Sequence, residues 1–169
     1  VTMPTKAALC VLLLLGGCVS ALEPIEPKPS YLSQVEGEPA LIAFEEQVPL
    51  TGFDGLMVHG YPAAGPRAVV VFVHGLGTNA KLWDLPEVGG LARRVWRAGY
   101  AVYTVDLVSR EEAQPYEERK RRLGQLLNIL AKRHVTVPLI GVGHDMGGTL
   151  LYELGVRAGS PLAGVVGLS

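Results

Sequence analysis

The residues best suited to chemistry gather in one segment, Gly141-Val142-Gly143-His144-Asp145-Met146-Gly147-Gly148-Thr149. Gly143, Gly147 and Gly148 flank Asp145 at −2, +2 and +3. An apolar run precedes the segment and a helix-compatible stretch follows it. A residue at such a strand-to-helix apex takes a sharp backbone turn, and its neighbours must be small for the chain to pass. The apex side chain is expected over the helix N-terminus, where the dipole and free backbone N–H groups favour a carboxylate. With a reference pKa of about 3.9 that carboxylate is ionised at neutral pH. It could therefore act as a nucleophile without a base to activate it. A second segment of interest is His74-Gly75-Leu76-Gly77, directly after the run AVVVFV. A third is Cys18, behind Leu15-Gly16-Gly17.

The elements that must position these groups read as alternating strands and helices. Leu41–Leu50 and Leu56–Tyr61 are predicted strands, joined by a hairpin turn at Gly52-Phe53-Asp54-Gly55. Ala68–Val73, Tyr100–Val105, Val137–Val142 and Leu162–Leu168 are short and apolar throughout, as expected of strands buried on both faces. Predicted helices cover Leu91–Ala98, Pro115–His134 and Gly147–Ala158. In the second of these, Leu123, Leu126, Leu127 and Leu130 form one apolar stripe. Glu117 with Arg121 and Glu118 with Arg122 are i,i+4 pairs, and the basic run Arg119–Arg122 is expected to be solvated helix surface. This alternation implies an α/β fold, a mostly parallel sheet with helices on both faces. His134 falls at a helix C-terminus, where a partly positive imidazole is mildly favoured, and His59 is expected at the surface.

The Gly-His-Xaa-Met-Gly-Gly spelling around Asp145 resembles the nucleophile elbow of the α/β-hydrolase family, and His74-Gly75 resembles the turn after that fold's third strand. Trp83 and the stretch up to Asp106 follow the same layout. The resemblance covers about residues 41–169, roughly the first half of a typical member, so the domain reads as C-terminally incomplete. It implies an oxyanion hole from the backbone N–H groups of Leu76 and Met146. His74, Gly75, Gly143, His144, Gly147 and Gly148 are then motif residues.

Aspartate at the elbow occurs in the family's epoxide hydrolases and haloalkane dehalogenases. Met146 stands where those two usually have tryptophan, while Leu76 and Gly77 replace an asparagine and a proline found there. Apart from the aspartate, the spelling is closer to a serine lipase or esterase. Three readings of Asp145 stay open: a working nucleophile for an ester, epoxide or alkyl substrate; a substitution that ended esterase activity and left a binding protein; or another origin. In this fold the acid and then the histidine follow the nucleophile. Residues 146–169 contain no histidine, so both are expected beyond Ser169. Without further strands the last apolar strand would be an aggregation-prone edge.

Residues 1–17 read as a signal peptide: Lys6, then the apolar run Ala7–Leu15, too short to span a bilayer. With Leu15-Gly16-Gly17-Cys18 they resemble the signal of bacterial lipoproteins. The resemblance implies cleavage, lipidation of Cys18 and a membrane anchor. Val19 after the cysteine favours the outer membrane where there is one. Residues 18–40, with Pro24, Pro27 and Pro29, read as a stiff tether ahead of the domain at 41–169. With Cys10 removed and Cys18 acylated, no cysteine is left for a disulfide or metal site. The net charge of −1 gives no reason to expect nucleic acid. No metal cluster, dinucleotide fingerprint or phosphate loop is present in the sequence, and no cofactor is implied.

Overall fold

The computed structural model describes residues 44–85, 89–107 and 114–169. The predicted signal peptide, Cys18, the predicted tether and the first three residues of the predicted hairpin lie outside the described residues.

Among the described residues ten elements follow one another. Strand β1 (Phe44–Leu50) and β2 (Phe53–Tyr61) form a hairpin, followed by β3 (Val69–Val73), a short 3-10 helix (Ala80–Asp84), and α1 (Leu91–Arg97). Then come β4 (Ala101–Asp106), α2 (Tyr116–Arg133), β5 (Leu139–His144), α3 (Met146–Gly155) and β6 (Leu162–Leu168). The described residues build one six-stranded sheet in the order β1-β2-β4-β3-β5-β6. The hairpin is antiparallel and β2 joins β4 antiparallel. The ladders β4–β3, β3–β5 and β5–β6 are parallel.

The sheet is thus mostly parallel, as its apolar runs imply. Every residue of β3 is buried, because this strand lies in the middle of the sheet with a helical layer on each side. On one face, α2 presents Leu123, Leu126, Leu127 and Leu130, each at most 1% exposed. α3 adds Leu150, Leu151 and Leu154, and both helices pack over Val69, Val71 and Val73. On the other face α1 and the 3-10 helix place Ala92 and Trp83 over Phe72, Val70, Val102 and Tyr61. Trp83 lies 4.9 Å from Phe72, ring centre to ring centre. The continuous apolar runs of the central strands and the 3.6-residue leucine stripe of α2 generate this three-layer arrangement.

Four expectations need correction. Strand β6 is not buried on both faces: none of its residues is buried, and Val166 and Leu168 are exposed. The hairpin turn is Thr51-Gly52 alone, and Phe53, Asp54 and Gly55 belong to β2. A register irregularity between Val48 and Leu50 lets the strands pair this far. Strand β5 starts at Leu139 and runs on to His144, closer to the apex than the apolar run alone implied. The basic run on α2 is not uniformly solvated: Arg119 and Lys120 are each only 8% exposed. Lys120 bonds both Glu117 (2.6 Å) and Glu153 of α3 (2.9 Å), so it stitches the two helices together. Glu118 and Arg122 do pair, at 2.7 Å. No helix among the described residues is long and apolar enough to cross a membrane.

Candidate functional site

Parallel register sets the site. Val73 is aligned with Gly143, so β3 and β5 leave the sheet side by side at their carboxyl ends. Crevices outside the carboxyl ends of parallel strands are where ligands bind in open α/β sheets. From β3 the chain enters His74-Gly75-Leu76-Gly77, and from β5 it passes His144 and Asp145 into α3.

Asp145 has φ 50° and ψ −122°, and among the described residues it is the one non-glycine residue with positive φ. Such a conformation costs of order 1–3 kcal/mol and persists only where its surroundings impose it. Two ties impose it: Asp145 N–H donates to Leu168 O at 3.1 Å, and Asp145 C=O receives Thr149 N–H at 3.2 Å. Close approach on the inner side does the rest. A Cβ on Gly147 would collide with the carbonyl of Val73 and sit 2.7 Å from His74 O. A Cβ on Gly143 would run into the Gly147–Gly148 peptide. Gly148 packs back on the Gly143 carbonyl.

The sequence placed the Asp145 carboxylate over the N-terminus of α3, but it makes no side-chain cap bond at this helix start. It turns across the gap, and Leu76 N–H donates to its Oδ2 at 3.3 Å, a long bond. The space above Gly75 is walled by Asp145 Cβ at 2.9 Å and His144 Nδ1 at 3.0 Å from where a Cβ would stand. Asp145 is exposed, and the Leu76 side chain is 61% exposed at the rim. Met146, next to the apex, opens α3. The structure therefore brings Leu76, Gly75, His144, Asp145, Met146, Gly143, Gly147 and Gly148 into one place.

His74 is a brace. It is fully buried, its Nδ1 lies 2.7 Å from Gly75 O, and its Nε2 receives Leu107 N–H at 3.2 Å. One nitrogen must donate and the other accept, which fixes a neutral imidazole with the proton on Nδ1. Burial also pushes its pKa down. With both nitrogens committed, His74 holds the end of β3 to the end of β4.

Three participants were not legible beforehand. Asp106 ends β4 and its Oδ1 accepts Ala80 N–H at 3.0 Å, so it fastens the loop that follows the Leu76 turn. Burial raises its pKa, but the His59 contact and the Ala80 N–H outweigh this and leave it lowered. His59 is 5% exposed, not at the surface: its Nδ1 is 3.1 Å from Glu45 Oε1 and its Nε2 3.6 Å from Asp106 Oδ2. Arg119 of α2 reaches Met146 Sδ with Nη1 at 3.2 Å, placing a guanidinium beside the residue after the apex. Away from the site, His134 is held down in pKa by burial and then by Arg133, and it meets Tyr103 OH at 2.9 Å, so the helix end does not stabilise a cation there.

Two surface hollows, one at the hairpin turn against α2 and one between α2 and the end of α3, contain neither Asp145 nor Leu76. Backbone geometry, not hollow size, marks the site. Among the described residues no group of three His, Cys, Asp or Glu side chains could hold a metal ion.

The chain is 31% identical over 103 residues to a monoacylglycerol lipase from Mycolicibacterium smegmatis, an alignment covering 57% of this chain and 35% of the lipase. A haloalkane dehalogenase from Agrobacterium tumefaciens superposes with a TM-score of 0.57 at 20% identity, over 73% of this chain and 40% of that one. A carboxyl esterase from Bacillus coagulans does so with a TM-score of 0.59 at 20% identity, over 73% and 43%. At these identities the two superpositions establish the fold alone. The chain spans well under two thirds of the length of each. The α/β hydrolase family itself matches residues 70–169, from the third strand to the end of the chain, and with the elbow and the His-Gly turn both in place the protein is a member of that family.

Proposed function

We propose that the chain carries the nucleophile half of a hydrolase site, with Asp145 as the attacking group. The observation that carries this reading is the exposed apex carboxylate, held at φ 50° with one oxygen toward the Leu76 amide. A carboxylate oxygen attacks an electrophilic alkyl carbon. A carbon–oxygen ester bond forms, and the carbon–halogen bond or the epoxide carbon–oxygen bond breaks; an epoxide alkoxide takes its proton from solvent. The first step needs no base, because the carboxylate is already ionised. In the second step water attacks the ester carbonyl, the N–H groups of Leu76 and Met146 receive the developing oxyanion, and collapse breaks the acyl carbon–oxygen bond, releasing the alcohol and restoring the Asp145 carboxylate. That step needs a base. His74 cannot serve, since both its ring nitrogens are engaged inside the protein. The base and its supporting acid are proposed to lie in sequence beyond Ser169. Incubation with styrene oxide followed by mass spectrometry tests the first step: an ester on Asp145 supports the reading, and an unmodified Asp145 sinks it.

A second reading is favoured by the likeness to the lipase. In it, aspartate has replaced a serine, leaving a scaffold that binds an ester-like or apolar molecule without turnover. Gain of nitrophenyl-ester hydrolysis in Asp145→Ser, with no alkylation of the parent, would select it. We further infer that Cys18 is acylated and anchors the protein in the cell envelope, facing away from the cytoplasm, on the strength of the Leu15-Gly16-Gly17-Cys18 spelling. Labelled palmitate incorporated by the parent but not by Cys18→Ala is the expected outcome. Equal labelling of both discards the anchor.

A further inference from the structure

The hydrolase reading leaves the buried His59 unused. His59 sits on β2, across the sheet from the elbow, yet Asp106 links it to the loop that follows the Leu76 turn. The contacts start on β1 at Glu45, whose side chain is 61% exposed and whose Oε1 is 3.1 Å from His59 Nδ1. The other ring nitrogen, Nε2, is 3.6 Å from Asp106 Oδ2 on β4. That separation is too long for a hydrogen bond but within ion-pair reach, and Nε2 is buried without a hydrogen-bond partner. The opposite oxygen, Asp106 Oδ1, receives Ala80 N–H at 3.0 Å and stands 3.7 Å from His74 Nε2. His74 in turn bonds the Gly75 carbonyl, one residue from the Leu76 amide.

The groups around His59 come from every neighbouring element. Glu45 faces it from β1 and Asp106 from β4. Thr104, also on β4, offers its uncharged hydroxyl to the His59 carbonyl at 3.4 Å. His74 of β3 lies beyond the Asp106 carboxylate, and the charge of Arg119 on α2 bears on His74. Two carboxylates on one imidazole favour its charged form over the opposing effect of burial, the Asp106 contact most of all. A charged His59 in turn keeps Asp106 ionised and in place.

We propose that His59 is a positioning residue for the Leu76 amide: its imidazolium holds Asp106, and Asp106 anchors the 75–80 turn through Ala80 N–H. Loss of the His59 proton releases the pull on Asp106 and loosens the turn that presents the oxyanion donor. This rests on reading Leu76 N–H as that donor, but its test needs no turnover.

The experiment is amide and histidine NMR of the full chain across pH, in the parent, Glu45→Gln and His59→Gln. His59 is expected to titrate above 6.5, with the Leu76 and Ala80 amides following the same midpoint. Glu45→Gln, an exposed and mild change, removes one carboxylate and is expected to move all three midpoints to lower pH together. His59→Gln is expected to abolish that amide titration. Movement of the His59 midpoint in Glu45→Gln without the Leu76 and Ala80 amides overturns the proposal even if His59→Gln fails to fold. So does a His59 midpoint at or below 6.5. Uncoupled amides alongside an alkylated Asp145 refute only this inference; coupled amides with no alkylation refute only the hydrolase reading.

Discussion

Two glycine-to-alanine substitutions, both inside helices, are expected to move stability in opposite directions. Gly147 is the second residue of α3, and a Cβ there would overlap the Val73 carbonyl and lie 2.7 Å from His74 O. Both are backbone atoms. Val73 is laddered to β4 on one side and β5 on the other, so it cannot step aside. Forcing an atom into packed structure costs about 1–3 kcal/mol, and a clash with fixed backbone belongs at the upper end. The gain from replacing a helical glycine is at most about 1 kcal/mol, leaving Gly147→Ala about 2 kcal/mol less stable. Gly124, in the middle of α2, meets only the tip of the Leu154 side chain, at 3.3 Å. A side-chain tip can move by a few tenths of an ångström, so Gly124→Ala should keep most of its propensity gain, roughly 0.5–1 kcal/mol. The two variants then differ by about 3 kcal/mol. With a urea slope of about 1–3 kcal/mol per molar for small proteins, their midpoints should separate by about 1 M or more. Equal midpoints, or a Gly147→Ala midpoint above that of Gly124→Ala, would refute the claim that backbone contact makes glycine obligatory at the elbow.

Other outcomes follow from the polar contacts. Tyr61→Phe removes the 2.8 Å bond to the buried Asp84 carboxylate, whose other oxygen already lacks a partner, and should cost about 1–3 kcal/mol in denaturant unfolding. In the parent the Tyr61 phenol, pushed up to about 12 by burial and then by Asp84, should stay un-ionised in an ultraviolet titration through ordinary alkaline pH. Breaking the Arg133–Glu46 pair with Arg133→Ala should cost under about 1 kcal/mol, because each side chain is 38% exposed and screened by solvent. For pH, His59 is raised, so its contribution is complete below 6.5 and fades as pH climbs through the folded value. Asp106 is lowered, so its contribution is complete above 3.8 and fades as pH falls through the folded value. Thermal unfolding against pH should show His59→Gln losing the alkaline limb of this dependence.

Sequence pattern carried the layers, because the apolar run of β3 and the leucine stripe of α2 report burial, whereas the apolar run of β6 does not: Val166 and Leu168 are exposed. It carried the elbow too, since glycines at −2, +2 and +3 around Asp145 mark where backbones touch. It could not carry the His59 contacts. Glu45 and His59 face each other only once the hairpin turns at Thr51-Gly52, and Asp106 joins them only because β2 pairs with β4 rather than β3. Strand order is a long-range property with no local signal in the residues themselves. The same holds for Arg119 and Lys120. A run of four basic residues looks like wet surface until α3 is laid against it, bringing Met146 and Glu153 to their ends. The orientation of Asp145 was missed for a related reason: the donor that bonds its carboxylate, Leu76 N–H, is 69 residues away in sequence.

The claim that Asp145 is a nucleophile is tested most directly by treating the chain with styrene oxide and mapping the peptide His134–Arg157, which tryptic cleavage releases with the elbow inside it. The expected result is one epoxide mass added per chain, located on Asp145 and absent from Asp145→Asn. No adduct at Asp145, or the same labelling of the Asn variant, would contradict the account.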